Sequence, residues 1–213
     1  TYTFLMNPSA RFHDGTYILA QDVVFSIKRV LDPTNHSPQT WLFDKIVGAK
    51  EFMEGETREI EGLEAKNDYT LRIEITKPFA PFVQYLAMPS AAIVNSSKSD
   101  KIRNVPAGSG PWKLDLWEKD GELVFSRNDD YWGETPIMSG LKIRVLSESL
   151  TQSAEFEVGN LDIFNIPALE LLQWTQKKEW RDNIFSIDEL NIWYIAMNCS
   201  RKPFDDVRVR KAM

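Results

Sequence analysis

The segment from Leu141 to Ile166 constrains the fold more than any other stretch of the chain. Leu141 to Val145 reads as a strand, Ser149 to Val158 as a helix closed by Gly159, and Leu161 to Ile166 as a second strand. A crossover of that length between two strands predicts that they lie parallel in one sheet. The expected fold class is therefore α/β in the broad sense, a mixed α+β chain.

The region before it carries different signals. Thr1 to Phe4 opens as a strand, and Phe12-His13-Asp14-Gly15 is a turn in which Gly15 is free to take positive φ. Ala20, Val23, Val24, Ile27, Val30 and Leu31 recur at helical spacing, and Asp32-Pro33 ends that helix. A second helix is expected from Ser37 to Met53, with Leu42, Ile46, Ala49 and Met53 on one face and Gly55 after it. Leu71, Ile73 and Ile75 alternate with polar residues in a strand paired with the segment around Leu63. Lys77-Pro78 then starts an aromatic-rich stretch with Phe79, Phe82 and Tyr85.

Asn95 to Gly110 is polar, carries Pro106, Gly108 and Gly110, and reads as a linker. Beyond it, Trp112 to Trp117 and Leu123 to Arg127 form a hairpin around Asp120-Gly121. Pro167 suits the first turn of a helix through Leu171, Leu172 and Trp174, and Ile192 to Asn198 reads as a final strand. Two subregions are expected, 1–105 and 106–213, without internal repeats or low-complexity tracts.

Charge removes whole classes of function. The formal net charge is −6, with Lys and Arg scattered. That balance disfavours nucleic acid and anionic membrane as partners, since neither finds a basic face. Cys199 is the one cysteine, so an intramolecular disulfide cannot form, which says nothing about compartment. No stretch approaches the length of apolar chain that crosses a bilayer. Both ends read as points inside a longer protein: the first residues are already a strand, and the last form a helix in its second turn.

The residues carry no recognisable catalytic motif. His13, His36 and Cys199 are too few and too scattered for a usual metal site. Gly108-Ser109-Gly110 lacks the Gly-x-Ser-x-Gly spacing of a nucleophile elbow, and no Gly-rich nucleotide fingerprint is present. The carboxylates are expected to lie on solvated surface and at helix starts, where Asp205 and Asp206 would take free amides. No cofactor, no metal and no enzymatic activity are expected. Aromatic residues make 12% of the chain, many beside polar residues, as at Trp41, Trp117, Tyr131, Trp132, Trp193 and Tyr194. Such rings suit a recognition cleft, although core packing is the plainer role for any single one.

Four segments, in this order and spacing, resemble the family 5 extracellular solute-binding proteins, the peptide and nickel receptors of ABC importers. The first joins Tyr2-Thr3-Phe4 to Phe12-His13-Asp14-Gly15, Ala20-x-Asp22-Val23 and Ser26-x-x-Arg29. The second is Gly108-Ser109-Gly110-Pro111-Trp112-Lys113-Leu114. The third is Arg127-Asn128-Asp129-Asp130-Tyr131-Trp132-Gly133, leading to Gly159-Asn160-Leu161-Asp162-Ile163. The last runs from Met197-Asn198-Cys199 through Pro203-Phe204-Asp205-Asp206-Val207-Arg208 to Ala212. Leu19 stands where relatives often carry Thr, so the cap of the first helix is expected to be weak or moved.

The resemblance implies a periplasmic-binding-protein-like class II clamp, present in part. Residues 1–105 would be the family's peripheral domain and 106–213 part of the first ligand-binding lobe, with the second lobe absent. It implies reversible binding of peptides or similar small polar solutes by closure of two lobes, read by an ABC permease in the membrane. Trp193, Tyr194, Met197, Asn198 and Cys199 near a hinge strand are the candidate ligand contacts, with Gln39 and Trp41 in a loop and Ser109 at the domain junction. An oligosaccharide receptor of the same fold and a secreted hydrolase using paired carboxylates are the alternatives. The scarcity of histidine disfavours nickel. A monomer is expected, periplasmic or extracellular, with a lipid anchor in the intact protein left open.

Overall fold

The computed structural model describes residues 1–101, 108–188, 192 and 194–213, and the chain divides into two units, Thr1–Leu146 and Ser147–Met213. The division expected near residue 105 falls outside the described residues.

In the first unit, β1 (Tyr2–Leu5) is followed by helix α1 (Ala20–Leu31), a short helix α2 (Ala49–Met53), and strands β2 (Leu63–Asn67) and β3 (Thr70–Ile73). The strands form an antiparallel sheet in the order β1-β3-β2. Alternation along β3 turns Leu71 and Ile73 inward, and both are buried. The apolar stripe of α1 is buried as its spacing requires, through Ala20, Val24, Ile27, Val30 and Leu31. Each large side chain buried in this way contributes roughly 1.5–3 kcal/mol.

The weak cap of α1 is visible. Leu19 offers no side-chain acceptor, and its amide donates instead to the Asp22 carboxylate at 2.9 Å. The other Asp22 oxygen accepts from the Ser96 amide at 3.0 Å and the Ser96 hydroxyl at 2.7 Å. A buried aspartate thus ties the start of α1 to the segment that leaves the first sheet.

The helix expected over Ser37 to Met53 does not form as one piece. A 3-10 turn spans Thr40–Leu42, and only Ala49–Met53 is α-helical. Between them the chain runs through turns and meets the segment after β3 at an isolated bridge. Ile46 bridges Ile75, the Val47 amide donates to Glu74 O at 2.9 Å, and the Thr76 amide to Lys45 O at 2.8 Å. Gly48 makes the exit possible: its φ is +80°, and a Cβ there would sit 2.7 Å from the Glu61 amide nitrogen. Leu42, Ile46 and Ala49 are still buried, so the periodicity reported burial correctly while the path between those residues is bent. Helix α3 (Phe82–Tyr85) follows, with Phe82 fully buried and stacked on Tyr2 at 5.3 Å.

Strands β4 (Trp112–Trp117), β5 (Glu122–Arg127) and β6 (Gly140–Arg144) make a second three-stranded sheet, antiparallel throughout. The expected hairpin is present, with Asp120 at φ 60° in its turn.

The strand–helix–strand reading is met in two of its three parts. Strand β6 and helix α4 (Ser149–Glu157) form, and Gly159 closes the helix at φ +80°. Leu161 to Ile166 is not a strand, and among the described residues β6 pairs only with β5, so the expected parallel pair is absent. A strand exists only with a partner for its amides and carbonyls, and an apolar run reports a tendency to be buried without naming that partner.

In the second unit, Phe164 packs on Phe156 at 4.8 Å and on Trp174 at 5.0 Å, while Ile163 stays open. Trp174 belongs to α5 (Leu171–Gln176), which starts after the turn at Pro167 rather than on it. Glu170 accepts from the Ser153 hydroxyl at 2.6 Å and from Trp174 Nε1 at 3.2 Å, fastening α5 to α4. The strand expected from Ile192 to Asn198 is not found among its described residues. Helix α6 (Val207–Ala212) is capped by Asp206, which accepts from the Arg208 amide at 2.8 Å, as its position suggests.

Candidate functional site

Ser109 lies in a short loop just before β4. The Gly108 carbonyl accepts from the His13 amide at 2.8 Å, and the Gly110 carbonyl lies 2.9 Å from His13 Nε2. Gly110 O also accepts from the Asn128 side-chain amide at 3.2 Å, and Ser109 O accepts from Trp132 Nε1 at 3.1 Å. Donors from two separate segments, around His13 and from Asn128 to Trp132, therefore converge on one loop. Sequence reasoning set His13 aside as a turn residue. The available signal was its place in Phe12-His13-Asp14-Gly15, which quotes the same family pattern as Gly108-Ser109-Gly110.

The same turn holds the other end of the linker. Asn95, 5% exposed, donates to the Thr16 hydroxyl at 2.9 Å, and Lys98 pairs with Asp14. Burial by itself would raise the Asp14 carboxyl. Hydrogen bonds from Lys98 and from the Thr16 hydroxyl and amide, with the Lys98 charge, outweigh it and lower the group to about 2. Asp206 is also lowered, by its bonds from the Arg208 side chain and amide.

Gln39 precedes the 3-10 turn Thr40–Leu42, and Trp41 lies within it. Gln39 is half-buried, while Trp41 is 42% exposed and set edge-on to Tyr85 at 5.0 Å. Tyr85 in turn meets Phe79 at 5.4 Å, with the Lys45 ammonium over the Phe79 ring at 5.1 Å. Trp41 thus presents one indole surface outward from a supported aromatic group. A depression of about 460 Å³ elsewhere on the first unit is lined by Asp44, Gly48, Lys50, Glu59 and Glu61 and contains none of the candidates.

The remaining candidates belong to the second unit. Tyr194 is 80% exposed, Met197 is half-buried, and Asn198 and Cys199 are exposed in a turn. The Asn198 side chain accepts from the Ser200 amide at 3.0 Å, and Cys199 Sγ lies 3.5 Å from Met197 O. Trp193 lies outside the described residues. Gln39, Trp41 and Ser109 are thus placed by the first unit, and Tyr194 to Cys199 by the second.

Among the described residues no group of His, Cys, Asp and Glu is arranged to hold a metal ion, and no helix is long and apolar enough to cross a membrane. The candidates of each unit offer hydrogen-bonding backbone, hydroxyl, amide and aromatic surface.

The mixed fold is that of the periplasmic binding proteins. Haemophilus influenzae OppA, solved in complex with RPPGFSPFR, has that fold and superposes with a TM-score of 0.77 over 99% of this chain and 43% of its own, at 23% identity. The chain belongs to the bacterial extracellular solute-binding proteins of family 5, whose "Middle" family model matches residues 1–213. Among curated relatives, the oligopeptide-binding protein OppA of Bacillus subtilis is 26% identical across all of this chain and 41% of the relative. The dipeptide-binding protein of Escherichia coli is 27% identical, again across all of this chain and 42% of the relative. The chain therefore spans about two-fifths of the length of the relatives it matches.

Proposed function

We propose that this chain is part of the receptor of an ABC importer that binds peptides or similar small polar solutes between two closing lobes, without covalent chemistry. The observation that carries the reading is the family match along all of residues 1–213, with relatives named for the peptides they bind. Residues 1–105 form the peripheral domain and 106–213 part of the first lobe. The receptor works outside the cytoplasmic membrane and hands its solute to a permease.

Solute contacts come from Trp193, Tyr194, Met197, Asn198 and Cys199 in the segment before α6, from Gln39 and Trp41, and from Ser109. Backbone amides and carbonyls along an extended segment can hold a peptide main chain whatever its side chains, which accounts for a site without a conspicuous side-chain motif. Closure follows only if the solute makes contacts in the closed form that the open form lacks.

Isothermal titration of the full-length protein with di- to pentapeptides tests this. Saturable heat with about micromolar or tighter affinity, and peptides recovered intact, is the expected result. Cleaved peptides would overturn the binding-only reading. Heat with oligosaccharides and none with peptides would overturn the solute class while leaving the receptor.

A further inference from the structure

One histidine holds the carbonyls of the two glycines that flank Ser109. The His13 amide takes the Gly108 carbonyl at 2.8 Å, and His13 Nε2 meets the Gly110 carbonyl at 2.9 Å. A carbonyl only accepts, so Nε2 carries the hydrogen. The ring also lies close against Gly108, where an added Cβ would stand 3.2 Å from His13 Cε1. Asn128, 3% exposed, reinforces Gly110 O at 3.2 Å, and Trp132 Nε1 occupies Ser109 O at 3.1 Å. The backbone carbonyls of this loop are therefore engaged by the protein. Among the described residues the Ser109 hydroxyl and amide have no partner, so the loop is left with donors to offer.

We propose that His13 is a positioning residue for solute binding: it acts through Ser109, fixing the loop so that the Ser109 hydroxyl and amide donate to a carboxylate or amide-carbonyl oxygen of the solute. This rests on the receptor reading above, in which Ser109 is a solute contact. Holding the loop before the solute arrives removes the ordering cost that a free Gly-Ser-Gly segment would incur on binding. An unsupported Gly-Ser-Gly turn would sample many conformations, because glycine is conformationally permissive.

The test is a double-mutant cycle in the full-length protein, titrated with trialanine and with the tightest binder of the di- to pentapeptide set, each variant checked for an unchanged melting temperature. Ser109→Ala is expected to weaken binding about tenfold, the worth of one hydrogen bond. His13→Ala should weaken it to a similar degree, and the double variant should be no weaker than either single one, because both remove the same contact. His13→Gln, whose side-chain amide can donate in place of Nε2, should stay within about twofold of the parent. Losses that add to about a hundredfold, or a Ser109→Ala variant that binds as the parent does, would overturn the proposal. If His13→Ala does not fold, the remaining variants decide: His13→Gln binding as weakly as Ser109→Ala overturns it, and retained binding supports it. A parent protein that binds no peptide at all removes the receptor reading and this inference with it, an outcome distinct from normal binding in Ser109→Ala.

Discussion

The region of α1 and the first sheet buries its apolar side chains, while Ser147–Met213, like the β4–β6 sheet of the first unit, leaves most of them partly or largely exposed. In Thr1–Leu146, α1 and the first sheet close on each other, and Leu31, Phe43, Ile73 and Phe82 are removed from solvent altogether. In Ser147–Met213 the only large apolar side chain so buried among the described residues is Trp174, held by Phe156, Phe164 and the Glu170 carboxylate. Ile163, Leu169, Phe185 and Ile187 stay more than four-fifths exposed. The difference shows that an apolar residue becomes part of a core only when its neighbours in sequence, or the elements they pair with, bring a second layer to it. The first unit has that layer in α1. The second has a ring cluster and a few polar ties.

The widest separation between the units should appear in paired truncations. Phe43→Ala is expected to cost about 3–5 kcal/mol, because the ring is fully buried and its cavity cannot refill. Leu169→Ala, at a side chain 99% exposed, should change stability by less than about 0.5 kcal/mol. Urea denaturation of both variants measures the contrast, and equal losses would break the comparison. Gly48→Ala comes next, with an expected loss of about 1–3 kcal/mol, since φ +80° is unfavourable for alanine and its Cβ would press on the Glu61 amide. Unchanged stability in that variant would mean that the bend between Val47 and Ala49 can relax. Trp174→Phe sharpens the picture of the second unit. It keeps a ring against Phe156 but removes the bond to Glu170, and about 1 kcal/mol should be lost. A loss several times larger would mean that the indole's volume, not its N–H, holds α5 to α4.

The same contrast explains what was legible from residue order. The stripe of α1, the β2–β3 pair and the β4–β5 hairpin were readable because each is closed by residues near in sequence. The helix over Ser37 to Met53 was misread because the buried positions Leu42, Ile46 and Ala49 satisfy a helical period while Gly48 bends the chain away from it. The strands expected at Leu161 to Ile166 and Ile192 to Asn198 depended on partners that no local pattern names. Near the candidate Ser109, the Gly108-Ser109-Gly110 loop was legible from its glycines. The His13 contact with Gly110 was not, because it spans a sequence separation of 97 residues and leaves no periodic trace.

The smallest expected effect tests whether the turn that carries His13 is also held electrostatically. Asp14 lies at about 2 against an ordinary 3.8, so the folded form prefers its carboxylate. A depressed folded value contributes stability that is complete above the unfolded value of 3.8 and is lost as pH falls through about 2. The slope of melting temperature against pH in that window should therefore be positive, with stability rising as pH rises. Lys98→Met removes one of the groups that hold the carboxylate down, while the Thr16 hydroxyl and amide remain at 2.6 and 2.9 Å. The slope should shrink in that variant without vanishing. The change should be modest, because Lys98 is nearly half exposed and water screens its charge. Thr16→Ala should also flatten the slope, since the Thr16 hydroxyl donates to the Asp14 carboxylate. Identical slopes in the parent and both variants would show that this turn is held by backbone geometry and by the His13 bonds alone, without help from the Asp14 charge.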